Sequence, residues 1–141
     1  MNLIINLTQH SMTEEQYKYN NEDLLEIKFK PYNGTSVGSP DYIKRLLNFD
    51  TIPSKKEIMD RAVALAAYAS GLLNQAKNDD DKLFALIGGA PYLMGPLEEM
   101  LKNEGIQPLY AYSQRESVEK VNPDGSVTKT CVFKHAGYIE A

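Results

Sequence analysis

Gly88 and Gly89, followed by Ala90 and Pro91, stand between an apolar run, Leu83-Phe84-Ala85-Leu86-Ile87, and a segment of helical pattern. Glycines at a strand-to-helix junction let the main chain approach a ligand closely. The first N–H groups of the helix and the positive end of its dipole then favour an anion. The chemistry offered is phosphate or carboxylate binding, although two glycines and a proline also make an ordinary tight connection. Thr8-Gln9-His10-Ser11 closes another apolar run, and Ser113-Gln114-Arg115-Glu116 closes a third. Thr8 and Gln9 either contact a ligand or simply end a strand and cap a turn. The Arg115 guanidinium suits a phosphate or carboxylate bidentately, or pairs on the surface with Glu116 or Glu119. His10 and His135, the two histidines, are the candidates for moving a proton in a metal-independent phosphodiester cleavage; the alternative is a structural, hydrogen-bonded role. Tyr92, Tyr110 and Tyr112 either stack on a base or fill a core.

Other chemistries lack their residues. Two histidines and one cysteine, widely spaced, give no metal-ligand motif. There is no G-x-S-x-G elbow and no Walker A lysine, and the Gly88-Gly89 turn lacks the G-x-G-x-x-G spacing of a dinucleotide site, so no cofactor is expected. A triad of His10, Ser113 and Glu116 can be drawn, but nothing in the spacing singles it out. Cys131 sits in an alternating strand pattern and reads as a packed thiol. A net charge of −4 over 141 residues, with a pI near 5.2, argues against a nucleic-acid polymer as partner. The chain opens on a strand-like run without a signal-peptide pattern or long apolar span, so no membrane association and a cytoplasmic location are expected.

The elements that must position these residues follow from periodicity. Residues 2–8 read as a strand, and Thr13-Glu14-Glu15-Gln16 as a capping box that starts a short helix near Glu14. Leu24 to Phe29 reads equally as a short strand or a helical turn. Pro31 to Pro40 has loop composition, and about 20–53 is read as an insertion that covers one side of the core, or a lid. Ser54-Lys55-Lys56-Glu57 is a second capping box. Beyond it Ile58, Ala62, Leu65, Ala66, Ala69, Leu72, Leu73 and Ala76 share one stripe of a long helix. Pro96 reads as a first-turn proline and Gly105 as the C-cap of the helix after the glycine turn. Pro108 to Tyr112 is a further strand, parallel to Leu83–Ile87 through a right-handed crossover. Asn122-Pro123-Asp124-Gly125 is a turn between two alternating strands, a hairpin whose register brings Ser113 opposite Lys134 and Tyr112 opposite His135, within one or two positions.

Parallel strands place their carboxyl ends on one edge of a sheet, where ligands bind. That edge would gather Thr8, Gln9, His10, Gly88, Gly89, Ala90, Pro91, Ser113 and Arg115, with Lys134 and His135 joining from the hairpin.

With those residues in view, the chain resembles a family of small phage and prophage proteins. The shared segments are I-I-N-L-T-Q-H followed by T-x-E-Q (Ile4 to His10, Thr13 to Gln16), I-P-S-x-x-E-I (Ile52 to Ile58) and I-G-G-A-P-Y-L-M (Ile87 to Met94). Y-A-Y-S-x-R-E-S-V-E (Tyr110 to Glu119) with P-D-G-S-V-x-K-T completes the pattern. The opening strand and T-x-E-Q start also resemble small Rossmann-like CRISPR-associated proteins that bind or degrade cyclic oligoadenylates. That second resemblance covers little more than the first 16 residues. It implies a nucleotide ligand held between the subunits of a homodimer.

The combined expectation is a single α/β domain over 1–141: a Rossmann-like, mostly parallel sheet with a C-terminal antiparallel β-hairpin (strand and hairpin over 108–139) and helices on both faces. The expected function is binding of a small phosphorylated, nucleotide-like ligand, as a phage counter-defence sponge in the host cytoplasm. A ring nuclease or phosphodiesterase at the same site is the alternative, and a protein-interaction module the second. Uncovered sheet edges add the expectation of a homodimer or larger homo-oligomer.

Overall fold

The computed structural model describes residues 1–28 and 40–141. Phe29 and the loop-like stretch Pro31 to Ser39 lie outside the described residues. The strands are β1 (Asn2–Leu7), β2 (Lys18–Tyr19), β3 (Glu22–Glu26), β4 (Lys82–Ile87), β5 (Gln107–Val121) and β6 (Val127–Glu140); the helices are α1 (Pro40–Leu47), α2 (Lys55–Ala76) and α3 (Pro91–Asn103). The six strands form one sheet in the order β2-β3-β1-β4-β5-β6.

Burial on both faces selects the centre of this sheet. Leu3, Ile4, Ile5 and Leu7 of β1 and Ala85, Leu86 and Ile87 of β4 are all buried, and the two strands pair in parallel from Asn2 opposite Lys82 to Leu7 opposite Ile87. β3 joins β1 in parallel, and β5 joins β4 in parallel.

The expected mostly parallel, Rossmann-like sheet is not what forms. The sheet is mixed, with an antiparallel hairpin at each end, β2–β3 and β5–β6, and the hairpins carry more paired residues than the three parallel ladders. The first hairpin turns at Asn20 and Asn21, both with positive φ (51° and 63°). Two consecutive left-handed residues suit the primed turns of tight hairpins, and asparagine tolerates that conformation.

Helices on both faces is the second correction. All three helices pack on one face, against Leu3, Ile5, Leu7, Ala85 and Ile87. The handedness of the connections explains this. After β3 the chain passes to β4 and then to β5 in a single direction across the sheet. Right-handed crossovers taken in one direction lay their helices on the same side. The other face carries Ile4, Leu24, Phe84, Leu86 and Leu109, and Met12, Tyr17, Tyr19 and Tyr138 cover it. The sheet curls to bring those covers together, and is nearly barrel-shaped. The Tyr138 hydroxyl donates to the Gln16 carbonyl, the Tyr19 hydroxyl donates to the Glu140 carboxylate, and the Tyr19 and Tyr138 rings meet edge to face at 6.0 Å. The two end strands thus close on each other through side chains.

Local chemistry sets the helix starts. Ser54 Oγ accepts from Glu57 N at 3.1 Å, and α2 buries Ala62, Leu65, Ala66, Ala69 and Leu73. Thr13 N donates to Gln16 Oε1 at 2.8 Å, as in a capping box, but the segment it starts is a single 3-10 turn, Glu14–Tyr17. Pro91, not Pro96, opens α3. Pro96 lies within that helix, where the buried stripe Leu93, Met94, Leu97 and Leu101 offsets the main-chain bond its ring removes. Of the stretch read as a covering insertion, β3 is an inner strand and α1 buries Ile43 and Leu47 in the core.

Closure of the sheet should be measurable. Tyr138→Phe keeps the ring packing and removes only the bond to Gln16. A loss of about 1 kcal/mol in urea unfolding is expected for one hydrogen bond; an unchanged midpoint would show that the closing contact does not stabilise the fold.

Candidate functional site

β1 and β4 end at paired residues, Leu7 and Ile87, so the loop after β1 and the glycine turn after β4 leave the sheet side by side. A Cβ placed on Gly88 would stand 3.7 Å from Thr8 Cγ2, an ordinary contact. Thr8, Gln9, His10, Ser11, Gly88 and Gly89 line a cleft of about 440 Å³, together with Gln16, Leu86, Ile87, Tyr110 and Ala111. The cleft therefore lies at the carboxyl ends of β1 and β4.

A dense set of short bonds shapes its first wall. Asn6 Nδ2 donates to the His10 carbonyl at 2.6 Å, and Asn6 Oδ1 accepts from Thr8 N at 3.0 Å and from the Thr8 hydroxyl at 2.6 Å. This is the turn-forming habit of an asparagine side chain that bonds the main chain two residues on. The Thr8 hydroxyl is spent on loop shape, whereas the exposed His10 enters these bonds through its main chain. Gln9 Nε2 donates to Asn48 Oδ1 at 3.1 Å, which ties the loop to the end of α1.

Arg61 holds that end, and sequence reasoning missed it. Its guanidinium donates to the carbonyls of Arg45 (3.0 Å) and Asn48 and to Glu57 at 2.8 Å, and lies 4.1 Å from the centroid of the Phe49 ring. A permanent cation among the last carbonyls of α1 also matches the negative end of that helix. The one signal in the sequence is the Glu57–Arg61 spacing of four on α2.

The second wall is the glycine turn. Gly89 has φ of +151°, where a side chain is strained, and a Cβ there would stand 3.6 Å from Met94 Cε. Ala90 and Pro91 open α3 beside the cleft and are not among its lining residues. Pro91 has no N–H, and Leu93 N donates to the Ala90 carbonyl at 3.0 Å, so this helix start has fewer donors to spare than a polar-capped one. Tyr110 donates to Glu98 at 2.6 Å. Burial, and then the Glu98 carboxylate, push its ionisation far up.

The remaining predicted residues lie on the β5–β6 hairpin, outside the cleft. Ser113 pairs with His135, Gln114 with Lys134, and Arg115 with Phe133, whose ring centroid is 5.7 Å from the guanidinium. The register differs from the expected one by one residue at Ser113 and, across a β-bulge at Ala136, by two at Tyr112, which pairs with Gly137; both lie within the expected margin of one or two positions. Asn122 and Ser126 close the hairpin (Asn122 N to Ser126 O, 2.8 Å) around Pro123-Asp124-Gly125 with Gly125 at φ +85°, a three-residue loop rather than a two-residue one. A shift of one exchanges faces. Ser113 and Arg115 share the face of His135, and Lys134 lies on the other.

His135 itself lies in a separate cleft with Glu15, Lys18, Tyr19, Asn20 and Asn21. Its ring meets Tyr138 edge to face at 4.8 Å, and its Nδ1 is buried with no hydrogen-bond partner among the described residues. Burial lowers its pKa, and Glu15 opposes that shift. The two candidate histidines are therefore not brought together. Among the described residues no three of His, Cys, Asp and Glu cluster as a metal would require, and no helix is long and apolar enough to cross a membrane.

The sequence profile of the Uncharacterized protein MJ1673 family matches residues 2–139. The chain belongs to the MJ1673 family. No curated protein and no solved structure matches it. The matched residues of this MJ1673-family protein run from β1 into β6, and so include both walls of the cleft and the hairpin.

Two measurements test the site's supports. Arg61→Met keeps the stem but leaves the α1 carbonyls without their cation, and should cost about 1.5–3 kcal/mol in urea unfolding, the range for charged hydrogen bonds. A loss below a few tenths would exclude this role. For His135, folding favours the neutral ring, so its contribution is whole above the ordinary value of 6.5 and is lost as pH falls through it toward the lower folded value. The fall in Tm between about pH 7.5 and about pH 5.5 should accordingly be smaller in His135→Gln than in the parent. Equal falls would count against the buried, neutral imidazole.

Proposed function

We propose that this MJ1673-family protein binds a small phosphorylated, nucleotide-like ligand in the cleft at the ends of β1 and β4, and holds it without cleaving it. The observation that carries the reading is the in-register ending of those strands, which sets the tethered Thr8–Ser11 loop beside Gly88 and Gly89. A volume of about 440 Å³ lies within the usual range of small-molecule sites. The glycines admit a phosphate to the main chain, and Thr8, Gln9, Ser11 and Gln16 are uncharged polar neighbours. Arg115 follows Ala111 on the same face of β5, about 14 Å farther along the strand, within reach of a second phosphate.

Binding is favoured over catalysis by the lining itself. His10 is the one histidine in the lining, and no carboxylate, lysine or arginine is among the described lining residues to serve as its partner. The resemblance to phage and CRISPR-associated proteins supports sequestration of a cyclic nucleotide signal in the host cytoplasm as the biological role.

Incubation with mono-, di- and cyclic oligoadenylates, followed by a thermal melt and chromatography of the denatured mixture, tests this. A bound nucleotide at about a hundred times its Kd should stabilise the protein by about 2.7 kcal/mol and be recovered intact. Gly88→Leu, at a position without positive φ, should weaken binding about tenfold or more, whereas His10→Ala should leave recovery intact. Cleaved nucleotide that depends on His10 would make the protein a phosphodiesterase. No shift with any nucleotide would overturn the reading and favour a protein-interaction module.

A further inference from the structure

Beyond Tyr112 the β5–β6 hairpin leaves the body as a two-stranded arm, Ser113–Val121 paired with Val127–His135. Nine residues of antiparallel strand span about 30 Å. β5 is exposed from Ala111 onward, and β6 is exposed from Val127 to Lys134, so both faces of the arm are bare. A two-stranded ribbon of this kind is marginal in water. Phe133 is nevertheless 71% exposed and Val127 52%, on the same face of the ribbon. β6 is also the last strand of the sheet, so its outer edge is an unpaired ladder among the described residues.

The side chains along that edge fit a second copy of the same chain. In an antiparallel pair of identical strands the two-fold axis runs perpendicular to the sheet and passes midway between one residue and its own copy, which face each other. Centring it on Lys129 opposes two lysines, and centring it on Cys131 sets Lys129 against Phe133. Centring it on Thr130 sets Phe133 against Val127 and Val132 against Thr128, each twice, and Lys129 against Cys131. This register alone combines aromatic–aliphatic and Thr–Thr cross-strand pairs, which are favourable, with no opposed lysines.

We propose that two copies of this chain pair their β6 strands antiparallel about Thr130, so that the two arms form the interface and the sheet runs continuously through both protomers. The outer edge of β6 lies apart from the cleft, although Arg115 of the same arm faces Phe133, and the test of the pairing involves no ligand.

Light scattering after size exclusion at micromolar concentration should give twice the chain mass of 15.8 kDa. Phe133→Lys, with an unchanged circular dichroism spectrum, should weaken self-association by about 10- to 100-fold, because the two-fold makes the substitution count twice. The register has its own readout, which survives even if that variant folds poorly. In a Cys131→Ser background, Thr130→Cys should cross-link the dimer on mild oxidation, and Val132→Cys should not. A monomeric parent, a dimer indifferent to Phe133→Lys, or preferential cross-linking through Val132→Cys would each overturn the proposal.

Discussion

The fold depends on one strand having to be buried twice. β1 exposes almost nothing: Leu3, Ile5 and Leu7 face one way and Ile4 the other, and all four are inaccessible to solvent. Alternation along a strand leaves no freedom here, because the two faces of the same six residues need two separate covers. The three helices supply one cover. Among the described residues no helix remains for the other, which is covered by Met12, Tyr17, Tyr19 and the aromatic end of β6. The curl of the sheet is the geometric price of that arrangement.

The cleft follows from the same constraint. β1 and β4 are the best-buried strands and share a register, so the loops that leave them must emerge together at one edge. Their supports differ. The glycine turn is anchored in the helical layer through Ala90 and through Leu93 and Met94 of α3, which pack in the main core. The Thr8–Ser11 loop is folded on itself by Asn6 and reaches the helices through Gln9, Asn48 and Arg61. A polar pocket thus stands on two footings, one of packing and one of hydrogen bonds.

What was legible in the sequence was local. The apolar runs marked the parallel neighbours β1, β4 and β5, Ser54 marked the start of α2, and the glycine pair marked one wall of the cleft. The missed features depend on chain direction or on a single residue of offset. Asn20-Asn21 forms a hairpin because asparagine accepts positive φ, a weaker signal than Asn-Gly. The one-sidedness of the helices comes from the order in which strands are visited, which hydropathy does not encode. Gly125 closes a three-residue loop, and that one residue moves Lys134 to the opposite face from Arg115. Arg61 was hidden because its partners are carbonyls, which every residue has.

The bulge between body and arm has an evolutionary consequence. β6 carries one residue more than β5 at Ala136, between the pairs Tyr112–Gly137 and Ser113–His135. Upstream of that point the strand's alternation is decoupled from the core that holds Tyr138. β5 runs through that point without an extra residue, so loss of the Ala136 codon would return β6 to an unbroken ladder and leave Phe133, Cys131 and Lys129 on the face that β5 and the Pro123–Gly125 loop assign them. A change of length at this one point is therefore one that neither the arm's outward surface nor the packed body has to accommodate.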